Sequence, residues 1–97
     1  MEKQYFVYLL ASKKNGTLYK GITSNLQQRI WQHKNKVADG FTQKYDVTKL
    51  VYFETYDDPE NAIKREKRLL KYTRAAKIKL IEKQNPNWND LYDEICN

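Results

Sequence analysis

The dipeptide Asn15-Gly16 stands between two runs of strand-forming residues, "YFVYLL" (5–10) and "LYKGIT" (18–23). Asn-Gly flanked by aromatic and β-branched residues is the strongest short-range signal for a β-hairpin, so residues 5–10 and 18–23 are expected to pair antiparallel. A chain that opens on a hairpin cannot form an all-parallel sheet. "KLVYFE" (49–54) reads as a third strand. Between these strands, Ser24 with Gln27 three residues later has the form of a capping box, and Leu26, Ile30, His33 and Val37 follow one buried helical stripe. Residues 38–48 read as a loop. Asp57-Asp58-Pro59 starts a helix to about Tyr72, Thr73 caps another over 74–83, and Trp88, Leu91, Tyr92 and Ile95 suggest a short terminal helix. The expected order is β-β-α-β-α-α, an α+β architecture with a small three-stranded, at least partly antiparallel sheet flanked by helices.

Ninety-seven residues suit a single domain, taken as 1–97, with one modest core. Nothing resembles a membrane span or signal peptide, and the one cysteine, Cys96, supports neither a disulfide framework nor a Cys-based zinc site. A cytoplasmic protein is the simplest expectation. The net charge of +6 is unevenly spread: eight Lys or Arg and one acid, Glu66, lie between Lys64 and Lys79. Such a face suits a polyanion, most often nucleic acid, although a solvated helix face gives the same pattern.

Glu66 has Ala62, Ile63, Leu69 and Leu70 at i−4, i−3, i+3 and i+4, which puts it at the centre of an inward stripe with the basic residues to the flanks. An inward carboxylate needs an ion pair, hydrogen bonds or a metal. His33 holds a comparable place between Ile30 and Val37, with Arg29 one turn earlier on the adjacent edge. A lone histidine on an apolar face is usually a packed core residue, and eight tyrosines would ordinarily be strand packing. Gly21 fits that less well, since a glycine inside a strand marks a bulge or a close backbone approach.

"FVY" (6–8) and "YKG" (19–21) across the hairpin resemble the paired tripeptides of the GIY-YIG nuclease superfamily. Arg29 and His33, ten and fourteen residues after Tyr19, resemble the family's helix-borne arginine and following histidine or tyrosine. Glu66 resembles its metal-binding glutamate, and "NPNW" (85–88) supplies a late asparagine, Asn85 in preference to Asn87. The resemblance runs from about Tyr5 to Trp88 and is closest to small stand-alone bacterial proteins labelled as endonucleases. Four positions depart from the pattern. Phe6-Val7 replaces the first Gly-Ile, while Tyr8 is kept. Lys20 replaces the central isoleucine of the second tripeptide and should face away from Tyr19. Ile22 stands where repair-type members carry a lysine.

The resemblance implies a metal-dependent endonuclease acting on DNA phosphodiesters, structure-selective or weakly sequence-specific, with a role in DNA repair or recombination. It implies one Mg²⁺ or Mn²⁺ held by Glu66 and waters, Arg29 clamping a phosphate oxygen, and Tyr19 deprotonating or aligning the water with help from His33. Tyr8 would bond within the metal's water shell and Asn85 would complete the catalytic set. Lys64, Arg65, Lys67, Arg68, Lys71 and Arg74 would contact backbone phosphates, which position DNA without reading its sequence. Specificity would then come from DNA structure or a protein partner. Two rival readings are a non-catalytic nucleic-acid-binding module on the same fold and a protein-interaction domain whose basic helix docks an acidic partner.

Overall fold

A computed structural model describes residues 3–37 and 40–96. Three strands form one antiparallel sheet in the order β2-β1-β3: β1 (Tyr5–Ala11), β2 (Leu18–Thr23) and β3 (Lys49–Tyr56). The helices are α1 (Leu26–Lys34), α2 (Gly40–Tyr45), α3 (Pro59–Leu70), α4 (Arg74–Gln84) and α5 (Tyr92–Cys96). The expected α+β class and its three strands are therefore observed. Among the described residues, no helix is long and apolar enough to cross a membrane.

The hairpin forms where the Asn-Gly signal puts it. Asn15 takes the left-handed backbone region at φ 59°, while Gly16 does not. The connection closes through Ser12 N–H to Thr17 O at 3.0 Å and Gly16 N–H to Lys13 O at 2.9 Å. Further along, the Asp58 side chain accepts from the Asn61 amide ahead of α3, and Thr73 accepts from Ala76 ahead of α4. Each such cap is worth about 1 kcal/mol, and both confirm the start signals read from the sequence.

Register sorts the central strand's side chains between two layers. Tyr8 lies opposite Gly21 and Leu10 opposite Tyr19, and this face packs on Leu26 and Ile30 of α1, with Val47 and Leu50 completing the cluster. Val7 lies opposite Ile22 and Leu9 opposite Lys20, and this second face packs on Ala62 and Leu69 of α3 and Ile81 of α4. Tyr52 faces Leu9 but Leu50 faces Leu10, so Val51 is an extra residue bulged from β3.

Four expectations need correction. Asn25, not Ser24, caps α1: it accepts from the Gln28 amide, and the Thr23 hydroxyl fixes its backbone N–H at 3.1 Å. Val37 leaves the buried stripe because α1 ends at Lys34, and Lys36 turns the chain at φ 58°. The expected loop 38–48 contains α2; residues 38 and 39 of that loop lie outside the described residues. The inward stripe of α3 is narrower than expected. Ala62 and Leu69 are buried, whereas Ile63 and Leu70 are 44% and 63% exposed, because contact with the sheet runs along a single ridge of the helix.

Candidate active site

On the α1 face of the sheet, Tyr8 and His33 are both fully buried and joined by a 3.0 Å hydrogen bond from the phenol oxygen to Nε2. The other ring nitrogen, Nδ1, lies 3.1 Å from the Thr42 hydroxyl of α2. Tyr19 meets the imidazole edge-on at 5.5 Å between ring centroids and stacks on Phe41 at 6.0 Å. Arg29 sits beside both phenols. Its hydrogen bond to Tyr8, foremost, with that to Tyr19, raises the guanidinium's proton affinity above the ordinary value against the opposing effect of burial.

Arg29 can only donate, so the Tyr8 oxygen accepts from it, and the imidazole meets Tyr8 through Nε2 and Thr42 through Nδ1. His33 is thus bonded to Tyr8, where the sequence reading put it in service of Tyr19. Gly21 explains how Tyr8 reaches this position. A Cβ there would lie 2.3 Å from the Tyr8 Cζ and Oη, so the glycine provides the space in which the ring crosses β2. The sequence signal of a close backbone approach is borne out, with no bulge in the β1–β2 ladder.

Glu66 belongs to the other face. Adjacent residues Tyr19 and Lys20 leave β2 in opposite directions, and Lys20 forms an ion pair with Glu66 of α3. The two side chains are 14% and 20% exposed. Burial lowers the proton affinity of Lys20, and the neighbouring Lys77 ammonium lowers it further. The structure therefore brings Tyr8, Tyr19, Arg29 and His33 together on one face of β2 and sets Glu66 on the other, and because β2 is the edge strand both faces border the same open edge of the sheet.

The remaining candidates divide by what already holds them. Asn85 is buried beside β3, at the sheet edge away from β2. Its amide donates to Val51 O at 3.0 Å and Asn89 O at 2.9 Å and accepts from Asn89 N–H at 3.0 Å. It secures the turn after α4 to the bulge in β3, at a distance from the tyrosine cluster. Arg65 was expected on the phosphate-binding face but turns inward to grip both oxygens of Glu54 at 2.9 Å, with Nη1 donating to the Tyr72 hydroxyl at 3.2 Å. Glu54 also accepts from Tyr52 and Tyr56. Burial alone would push this carboxyl up, but the bonds from Arg65, Tyr52 and Tyr56 outweigh it and hold it below the usual range. Burial and the bond to Glu54 push Tyr56 up to about 12. Arg74 is bound to the hairpin turn, donating to Asn15 O and Gly16 O at 2.6 Å. Lys64 pairs with Glu60 at 3.4 Å on the surface. Lys67, Arg68 and Lys71 are exposed.

Thr42 and Lys20 were not singled out as site residues in the sequence. Thr42 lies on a six-residue helix with no apolar period to reveal it. Lys20 carried a signal, a charge in the centre of a strand motif, that gained meaning only once α3 was seen to pack against that face.

The donor set at Glu66 suits a divalent cation that retains its waters. One carboxylate faces the second layer of the sheet, with Lys20 balancing its charge. Among the described residues no group of three or more His, Cys, Asp or Glu is arranged to hold a metal ion, so they form no all-protein cage of the zinc or calcium type. A divalent cation completed largely by water fits this set.

The GIY-YIG catalytic domain model matches residues 4–79. A UPF0213 protein of Clostridium perfringens is 38% identical over 90 residues, covering 93% of this chain and 96% of its own length. A UPF0213 protein of Syntrophus aciditrophicus is 39% identical over 87 residues, covering 89% and 97%. The solution structure of a UPF0213 protein from Bacillus halodurans shares the fold, with a TM-score of 0.56, 23% identity and coverage of 90% and 92%.

Proposed function

Because this chain belongs to the GIY-YIG catalytic-domain family, a family of nucleases, we propose that it is a metal-dependent endonuclease hydrolysing DNA phosphodiester bonds. The observation that carries this reading is the Arg29–Tyr8–His33–Thr42 chain of hydrogen bonds beside Tyr19. Buried polar groups are costly unless each is bonded, and a scaffold kept only for packing gains nothing from three of them, Tyr8, His33 and Thr42, in one place.

Tyr19 is the group assigned to the attacking water, as base or as aligning acceptor. Arg29 lies against its hydroxyl and is the fixed cation that favours a phenolate and binds a non-bridging phosphate oxygen. Tyr8 is held immobile by His33, so its oxygen keeps Arg29 in place while the phosphate changes shape. Glu66 would hold the Mg²⁺ or Mn²⁺, which when bound supplies charge neutralisation at the leaving oxygen. Lys67, Arg68 and Lys71 are available for backbone phosphates, and DNA structure rather than base sequence is what such contacts read. Asn85 has a holding role in this scheme. Repair or recombination substrates are consistent with that selectivity.

A second reading is supported by the Lys20–Glu66 pair, which already satisfies the carboxylate as a structural ion pair would. It is a nucleic-acid-binding module without catalysis. Cleavage of plasmid, flap and single-stranded DNA in Mg²⁺ or Mn²⁺ separates the two. Activity that vanishes in Glu66→Ala and Tyr19→Phe is expected; equal inertness of wild type and variants, with salt-sensitive binding retained, would select the second reading.

A further inference from the structure

Helix α3 carries two acid-base pairs to the same side of the sheet, and they are built differently. Arg65 holds Glu54 with a planar fork, two tyrosines add their hydroxyls, and the carboxylate is 18% exposed. A bidentate guanidinium with that support is a fixed structural pair. One residue further along, Glu66 is bonded among the described residues by Lys20 alone. An ammonium is a point charge on four flexible methylenes and can leave a carboxylate by rotating its own side chain, with no movement of β2.

We propose that Lys20 is an exchangeable counter-ion: it holds the Glu66 carboxylate until a divalent cation displaces it, and the released ammonium then faces the anionic oxygen of the phosphodiester. The metal and the ammonium compete for one carboxylate, so the pair is the resting form of the metal site. The identity of the phosphodiester as the next partner rests on the nuclease reading; the competition at Glu66 does not. Lys20 and Ile22 project from the same face of β2, and Lys20 is the cation this part of the strand presents to α3.

The test is Mn²⁺ binding to the full chain, followed by electron paramagnetic resonance and calorimetry. Lys20→Met should bind Mn²⁺ about two- to fivefold more tightly than wild type, the ratio expected when a competing, partly exposed ion pair of ordinary strength is removed. Lys20→Arg should bind it more weakly, since a bidentate fork is harder to displace. Glu66→Gln added to Lys20→Met should cancel the gain. Equal or weaker binding by folded Lys20→Met, or a gain that survives Glu66→Gln, overturns the proposal. Lys20→Gln, which keeps a polar side chain, is read by the same criteria if the methionine variant does not fold. Parallel cleavage assays on wild type separate the two readings. Cleavage without a change in Mn²⁺ affinity refutes the exchange and keeps the nuclease; a gain in affinity in a protein that cuts nothing does the reverse.

Discussion

Replacing Gly21 by alanine should destabilise this protein, where strand propensity alone predicts the opposite. The Gly21 backbone is not in the left-handed region, so any residue can adopt it, and alanine inside a strand normally gains about 0.5–1 kcal/mol over glycine. The added methyl would, however, lie 2.3 Å from the Tyr8 Cζ and Oη and 2.8 Å from Cε1. Reaching ordinary contact requires the ring to retreat by about 1 Å. Tyr8 is 1% exposed and bonded to His33 at 3.0 Å, so retreat breaks that bond and pushes on Leu26 and Ile30. Overpacking of this kind costs about 1–3 kcal/mol, and leaving His33 and Tyr8 poorly bonded adds about 1 kcal/mol. The expected total of about 2–4 kcal/mol corresponds to a fall in Tm of order 10–20 °C for a domain of this size. Thermal and urea denaturation measure it directly. In a Tyr8→Ala background the same change should cost less than about 0.5 kcal/mol, because the two residues then no longer collide. A Gly21→Ala variant as stable as wild type, or more stable, would refute the account of Tyr8 crossing β2 through the space left by this glycine.

Other outcomes follow from the paired groups. Glu54 is held below its usual range, so its contribution to stability is complete above the unfolded carboxylate pKa of about 4.3 and is lost as pH falls through the lower folded value. Urea midpoints of wild type and Glu54→Gln should accordingly differ at pH 7 and draw together as pH falls below the ordinary carboxylate range; a constant gap would be incompatible with the pair. Thr42→Val should cost about 1–3 kcal/mol by removing the hydroxyl beside His33 Nδ1, and Thr42→Ser should restore stability and the wild-type imidazole signature in nitrogen NMR. If valine and serine behave alike, Thr42 does not position the ring. Replacing Lys67, Arg68 and Lys71 together by alanine should lower the slope of log affinity for duplex DNA against log salt by about 2–3 units while preserving the fold. An unchanged slope would move the phosphate contacts to another face.

The sequence disclosed those parts of the fold whose signals are local. Asn15-Gly16, Asp58-Pro59 and Thr73 act within a few residues of themselves, and each begins the element it announced. Helix α2 escaped notice because it is six residues long and buries a single polar side chain, Thr42, which produces no apolar period. Ile63 and Leu70 misled for a different reason. Helical spacing gives a face but not the breadth of its contact, and the sheet meets α3 only along the ridge of Ala62 and Leu69. Arg65 and Glu66 are neighbours of opposite charge on one helix, and the helix sequence does not say that one finds Glu54 on β3 and the other Lys20 on β2. That assignment depends on which strand lies beneath each, a property of tertiary register. The companionship of Tyr8, Tyr19, Arg29 and His33 was readable from family spacing, while the bond from His33 to Tyr8 was not.

The opposite directions of Tyr19 and Lys20 also limit how this chain can change length. A one-residue insertion or deletion absorbed within β2 ahead of Tyr19 would move every later side chain to the other face. Lysine would then enter the arginine–imidazole cluster, and the phenol would be left facing a carboxylate. Two-residue changes, or changes confined to the exposed connection 13–15, keep both layers intact. Length variation among functional relatives should therefore fall in that connection or in even steps, and an odd change within the strand should mark a protein that has lost both halves of the site at once.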